Sequence, residues 1–453
     1  MRRLIIGLLF IISSASAQVK ENAPGAFKGV WLPNTKKAIF ELTKDSVHQF
    51  TVNLEANGQY EFYITQYGID ILVRLSDPTG KKILDQDSPN GNNGPENFDY
   101  SPSINGTFKL SIFPLDDSGN AAKGKYTLAI KKLSPEKILE KEKIAMELET
   151  ENKKNVQTLD IDHFWDAYDH LVNCKSFEDS VASFQERYIY KATSGLKDFI
   201  MARNFTAEEY VRKIGKFPKF YQSTRKNTYE VKKAEPLIEE VFKNFKSLYP
   251  NFKPFKVCFA IGTIRTGGTT SDKFVLIGTE ITTSTAANDL SEFNGDAMGR
   301  VLAGETDIVQ KIKNIVAHEC VHTQQKNNLA AGAEKCDLLY ACMQEGFCDF
   351  IGELVAGNQI NKVAASYGDA HEKDLWKTFK TELCSKSITN WLYNYSTAKD
   401  KPADLGYYVG YRIAKEYYQK QADKKQAIID IIEMNDPKKF LEKSGYDAYI
   451  SGK

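Results

Sequence analysis

The sequence predicts a two-part protein, an all-β N-terminal sandwich followed by a mainly α-helical α+β domain. Three observations carry this expectation. Residues 26–132 alternate short strand-like runs with close-set turn signals. Residues 133–155 are a charged, helix-forming stretch. From 156 onward helical patterns dominate, broken by one pair of apolar strands.

In the first part, Val47–Leu54, Tyr60–Ile64, Ile69–Leu75, Thr107–Phe113 and Tyr126–Ile130 read as strands. Asp77-Pro-Thr-Gly80, Ser88-Pro-Asn-Gly91, Asn93-Gly94 and Ile104-Asn-Gly106 separate them as turns. Period-two alternation at this spacing implies two packed sheets. Asp70, Asp77 and Asp87 have the hard oxygens that Ca²⁺ takes, but aspartates in such positions favour turns for their own sake. The turn reading is preferred.

Ser134-Pro135-Glu136 opens the connecting helix with a hydroxyl cap, a first-turn proline and an acid at the positive dipole end. Ile138, Leu139, Met146 and Leu148 give it a thin apolar stripe. It reads as a charged helical linker over 133–155.

The second part, 156–453, opens with a helix at Asp160–Tyr168. His163 and His170 lie on or near that helix and are read as structural. Phe255–Gly262 and Lys273–Gly278 read as two strands joined by Thr263–Ser271. Gly267 and Gly268 in that connection would let a substrate backbone come close, or simply form a hairpin.

The chemistry concentrates in Ile315-Val-Ala-His-Glu-Cys-Val-His-Thr-Gln324. His318 and His322 stand one helical turn apart on one face, and Glu319 follows the first of them. Two imidazoles so spaced can grip one Zn²⁺, with the glutamate within reach of its water. A second helix, Met343–Glu353, brings Glu345, 23 residues past His322, and Asp349 one turn later. Catalytic zinc takes two histidines and a carboxylate, and a further carboxylate fixes the tautomer of a ligand histidine. Glu345 and Asp349 suit those two roles.

H-E-x-x-H followed by E-x-x-x-D resembles the gluzincin, thermolysin-like metallopeptidases. A closer resemblance, over roughly 156–450, is to a family of predicted zinc-dependent proteases. Gly195-Leu-Lys-Asp-Phe-Ile200, Gly267-Gly-Thr269, His318–His322, Glu345-Gly346 with Asp349, and Gly406-Tyr-Tyr-Val-Gly-Tyr411 carry it. The resemblance implies a zincin-like fold and Zn²⁺ held by His318, His322 and Glu345. It also implies Glu319 as general base and a peptide substrate laid along an edge strand near Gly267 and Gly268. An oxyanion donor is required as well. Gluzincins use Tyr or His there, and Tyr411 is preferred here, then Tyr408. A non-peptidase zinc hydrolase and a catalytically silent zinc protein are the alternatives. Tyr67–Gly80, Asp87–Gly91 and Gly106–Leu110 resemble the bacterial pre-peptidase C-terminal domain, which implies a jelly-roll-like module without catalytic residues and leaves surface adhesion as a weaker role for it.

Composition excludes some classes. Lys and Arg number 60 against 59 Asp and Glu, so no basic field argues for nucleic acid. Arg2-Arg3, the apolar run Leu4–Ile12 and Ala15-Ser-Ala17 read as a secretory signal peptide over 1–17, with the apolar run too short to anchor in a membrane. A bacterial periplasmic or extracellular address follows. All seven cysteines lie past residue 173, and their pairing is not deducible. Cys320 and Cys348 are read as small buried residues.

Overall fold

The computed structural model describes residues 27–88, 91–115, 121–326, 328–395 and 397–452. The signal peptide expected over 1–17 lies outside them. The chain divides at 144/145 into two compact units.

Among its described residues the first unit holds ten strands: β1 (Phe27–Trp31), β2 (Ala38–Thr43), β3 (His48–Leu54), β4 (Tyr60–Tyr67), β5 (Ile71–Ser76), β6 (Lys82–Gln86), β7 (Asn93–Pro95), β8 (Phe98–Tyr100), β9 (Gly106–Pro114) and β10 (Lys123–Lys132). One sheet has the order β1-β3-β9-β5-β6 and the other β2-β10-β4-β7, with β8 also on β4. Alternation explains the core. On β3, Phe50, Val52 and Leu54 are buried while Thr51 and Asn53 are exposed. The inward residues of both sheets, among them Phe62, Ile64, Val73, Leu110 and Leu128, form one apolar cluster. Asp77, one of the aspartates weighed for Ca²⁺, has its carboxylate engaged by the N–H groups of Thr79 and Lys81 and by the Thr79 hydroxyl. That is the geometry of a turn aspartate.

Pro135–Lys153 is one continuous helix. Lys141 pairs with Glu61 and Asp99 at 2.7 Å each. Near the other end, the buried Glu151 accepts the N–H groups of Thr158 and Leu159 and so caps the next helix, Leu159–His170.

The second unit is mainly helical, with a sheet of order β11-β12-β14-β13. Its strands are β11 (Val156–Gln157), β12 (Lys256–Ala260), β13 (Gly268–Thr270) and β14 (Phe274–Gly278). β11, β12 and β14 run parallel, and β13 is antiparallel on the edge. The expected pair of strands is therefore not a simple hairpin: the connection between them supplies a third strand. β14 is buried throughout, as a run of Phe, Val, Leu and Ile covered on both faces must be. No helix among the described residues is long and apolar enough to cross a membrane. Cys336 and Cys384 form a disulfide, and Cys174, Cys258, Cys320, Cys342 and Cys348 are free.

Candidate metal centre

The helix Ile308–His322 begins where the Asp307 carboxylate accepts the Gln310 N–H. Ile312, Val316, Ala317, Cys320 and Val321 bury one side of it. The imidazoles of His318 and His322 project one turn apart, with ring centroids separated by 5.0 Å. The helix Asp337–Ala356 packs beside it and carries Glu345 and Asp349.

This second helix is held in register by a close crossing with the helix Leu405–Lys420. A Cβ on Gly346 would lie 2.2 Å from the Tyr411 nitrogen, and one on Gly410 would lie 1.9 Å from the Cys342 oxygen. No other residue fits at either point.

The polar atoms then converge. His318 Nε2 lies 3.5 Å from Glu345 Oε2, and His322 Nε2 lies 3.3 Å from the same oxygen. Tetrahedral zinc with bonds of about 2.0–2.1 Å sets its donors roughly 3.3–3.4 Å apart. Those two separations fit that ion. On the far side of the rings, His318 Nδ1 is 2.9 Å from Asp349 Oδ1 and His322 Nδ1 is 2.9 Å from Gln325 Oε1. Gln325 is fixed in turn by donating to the Gln344 carbonyl at 2.8 Å. Cys348 Sγ also approaches His322, at 3.3 Å, but at Nδ1, the nitrogen facing away from Glu345. That places it behind the ring rather than among the converging donors, although its sulfur is close enough to both histidines to form a metal-sized cluster.

Electrostatics follows burial. Burial alone would lower His318, but hydrogen bonds to Asp349 and Glu345 outweigh it and hold the ring well above its ordinary pKa. Burial raises Glu345, yet the two imidazoles outweigh it and keep the carboxylate well below its ordinary value. Burial raises Glu319, against the pull of the two histidines and Arg203. Glu319 is buried, and a Cβ on Gly268 would come within 2.4 Å of its Oε1. The edge strand thus meets the Glu319 carboxylate with bare backbone. Gly267 lies one residue earlier, and its carbonyl accepts the Gly278 N–H and the Thr282 hydroxyl.

His318, Glu319, His322, Glu345, Asp349 and Gly268 are therefore brought together. The two tyrosines expected as donors are not. Tyr411 donates to Glu353 at 2.8 Å and accepts from Lys415. Glu353 is two helical turns beyond Glu345, about 12 Å along the axis. Tyr408 donates to Asp369. Tyr393 lies at the centre instead, donating to Glu345 Oε1 at 2.6 Å, and the Tyr407 ring lies 6.0 Å from that of His318. Tyr407 sits within the glycine-tyrosine segment that the sequence singled out, whereas Tyr393 and Gln325 bore no such mark. Gln325 lies three residues past His322, just beyond the end of that helix, and its N–H still returns to the Val321 carbonyl at 3.1 Å, a spacing that could have flagged it.

Residues 281–439 match a family described as predicted Zn-dependent protease (DUF2268). No curated protein matches the chain. Among solved structures, the chain is similar to the pre-peptidase C-terminal domain of a collagenase from Bacillus anthracis, with 21% identity and a TM-score of 0.20 over 24% of this chain and 100% of that one. It is also similar to PliG, a periplasmic inhibitor of g-type lysozyme from Aeromonas hydrophila, with 9% identity and a TM-score of 0.20 over 24% of this chain and 100% of that one.

Proposed function

We propose that this chain is an exported zinc metallopeptidase of gluzincin type. One observation carries the reading: the Nε2 atoms of His318 and His322 stand 3.5 and 3.3 Å from Glu345 Oε2, the separation of donors around one zinc, with the Glu319 carboxylate adjoining. The match of 281–439 to predicted Zn-dependent proteases supports it.

His318, His322 and Glu345 would hold the ion. When bound, zinc supplies Lewis acidity at the scissile carbonyl and brings the pKa of an attacking water toward about 7. Glu319 accepts the proton of that water and returns it to the leaving amine. Asp349 and Gln325 take the Nδ1–H of His318 and His322, so each ring presents its Nε2 lone pair. Tyr393 takes the role first expected of Tyr411. Its hydroxyl, beside Glu345, would donate to the developing oxyanion. The substrate is an extended peptide added to β13, where Gly267 and Gly268 carry no side chain.

The two-sheet N-terminal unit is, in this reading, a jelly-roll-like module of pre-peptidase C-terminal type, and the C-terminal unit is zincin-like. The signal peptide over 1–17 would export the chain to the periplasm or beyond.

The test compares the exported chain with Glu319→Gln. Zinc per chain is counted in both, and both are offered a mixed peptide library. One zinc in each, with cleavage by the parent alone, is the expected result. Cleavage by the variant would remove Glu319 from the base role, and absence of zinc from both would end the metal assignment.

A further inference from the structure

The loop that carries the edge strand to Glu319 is held by a buried carboxylate that the proposed mechanism does not use. β12 ends at Ala260 and β13 begins at Gly268. Between them Ile264 takes a left-handed conformation, φ 57°, which is an outlier for a β-branched residue.

Glu280 lies on the short helix Thr279–Thr282, directly after β14, and is fully buried. Its Oε2 accepts the Gly262 N–H at 2.7 Å, and its Oε1 accepts the Ile264 N–H at 2.9 Å. Residues on either side of Glu280 grip the far end of the same loop. The Gly267 carbonyl accepts the Gly278 N–H at 2.9 Å and the Thr282 hydroxyl at 3.2 Å. A Cβ on Gly278 would lie 2.1 Å from the Thr266 oxygen, so the loop is pressed directly onto this segment. The next residue along, Gly268, is the one whose added Cβ would meet Glu319. Contacts therefore run without a break from the Glu280 carboxylate to the strand beside Glu319.

Packing alone does not require this carboxylate. Burial raises it to about 7 while the two N–H groups pull it back, and among the described residues no cation pairs with it. A carboxylate so placed is costly to keep. The loop is held from a second side as well. Tyr188 and Tyr210 donate to the Ile261 carbonyl at 2.8 and 3.0 Å, and Tyr221 donates to the Gly262 carbonyl at 3.1 Å. Backbone strain such as that at Ile264 persists only where the surroundings over-determine it, and it gathers at functional sites.

We propose that Glu280 and Thr282 are positioning residues for the substrate: by fixing the loop 261–267 they set β13 against Glu319, and so favour a peptide long enough to add as a strand over a short one held at the scissile bond alone. The proposal rests on the peptidase reading, with substrate added to β13, and names its substrate class. An added strand makes main-chain bonds along several residues, so displacement of β13 weakens a long peptide more than a short one. His318, His322 and Glu345 stand on two other helices, which this loop does not build.

The experiment uses the zinc-loaded full chain and Glu280→Gln, whose single amide oxygen can accept only one of the two N–H groups. A peptide cleaved by the parent is shortened residue by residue from each end, down to the smallest form still cleaved, and kcat and KM are measured for each. For the parent, kcat/KM should rise with length. In Glu280→Gln the longest form should lose about tenfold or more, the strength of a charged hydrogen bond, chiefly through KM. The shortest form, which makes no strand bonds, should stay within about twofold, with zinc retained. Thr282→Val keeps the side-chain shape and removes the hydroxyl from the Gly267 carbonyl. It should give the same length-dependent loss, smaller in size, and it decides the matter if Glu280→Gln does not fold. An equal loss on every length, no loss on any, or loss of zinc would overturn the proposal and leave the peptidase reading intact. So would a parent whose kcat/KM does not rise with length. Failure of the parent to cleave any peptide would overturn both.

Discussion

Tyr393 donates its hydroxyl to Glu345 Oε1 at 2.6 Å, although the residue as a whole is exposed. The contact joins a loop to a helix that lies 48 residues earlier. Its backbone takes a left-handed conformation, φ 56°, which a tyrosine seldom adopts. Asp404 holds it there by accepting the Tyr393 N–H at 2.5 Å, and Asn394 braces Asp404 in turn. A strained residue kept in position at the mouth of a polar site marks a group with a job.

Tyr393→Phe should therefore lower kcat by about a hundredfold or more, the usual loss for one oxyanion donor, while zinc stoichiometry stays at one. KM should change little, because the bond matters most when charge develops on the substrate. Tyr411→Phe serves as the contrast. Its hydroxyl lies on Glu353, two helical turns from Glu345, so activity should stay within about threefold of the parent. Steady-state kinetics on one peptide decides, and a reversed order of the two variants would return the role to Tyr411.

Asp349→Asn addresses the metal rather than the turnover. Asp349 is buried and accepts from His318 at 2.9 Å, which turns the Nε2 lone pair toward Glu345. An asparagine can present its amide nitrogen to Nδ1 and favour the wrong tautomer. Zinc affinity should fall by about ten- to a hundredfold, as for other groups that orient a metal-binding histidine. Competition with a chromogenic chelator measures this. An unchanged affinity would mean that packing alone orients His318.

The contrast between Asp349 and Tyr393 shows what a sequence of this kind discloses. Asp349, Glu345 and the two histidines lie on helices, where spacing of three or four residues fixes a shared face. That local rule paired them within each helix, and the ligand demands of zinc, with the resemblance, joined the two pairs. The longer strands of the first unit were legible by the same logic at period two, and β3, β4 and β9 fall within a few residues of the expected runs, whereas β1, β2, β6, β7 and β8 were not among those runs. Tyr393 obeys no local period. It is held by a loop frame of Asn394 and Asp404 and meets Glu345 from 48 residues away in sequence. Tyr411 failed for a related reason. Its helix was evident, but the phase of that helix against Glu345 is set by Gly346 meeting Gly410, which only the packed structure contains.

The last prediction concerns stability and pH. Asp160 is fully buried beside Thr193, whose N–H and hydroxyl both donate to it, and burial raises its carboxyl to about 7 against those bonds. The unfolded chain would hold the same group near 3.9. Between those values the folded protein binds the proton more tightly than the unfolded chain. Its contribution to stability is thus whole below about pH 4, declines as pH rises toward 7 and is gone above it, a change on the order of 4 kcal/mol. Glu280, buried while accepting the N–H groups of Gly262 and Ile264, is also raised to about 7 and adds the same sign. Asp160→Asn keeps an acceptor for the Thr193 N–H and has nothing to ionise. It should remove roughly half of the stability that these two carboxyls lose between pH 4 and 7, and above pH 7 it should be more stable than the parent. Urea denaturation of both proteins at pH 5 and pH 8 measures the difference. Parallel behaviour of the two would show that Asp160 is ionised in the folded protein at both pH values.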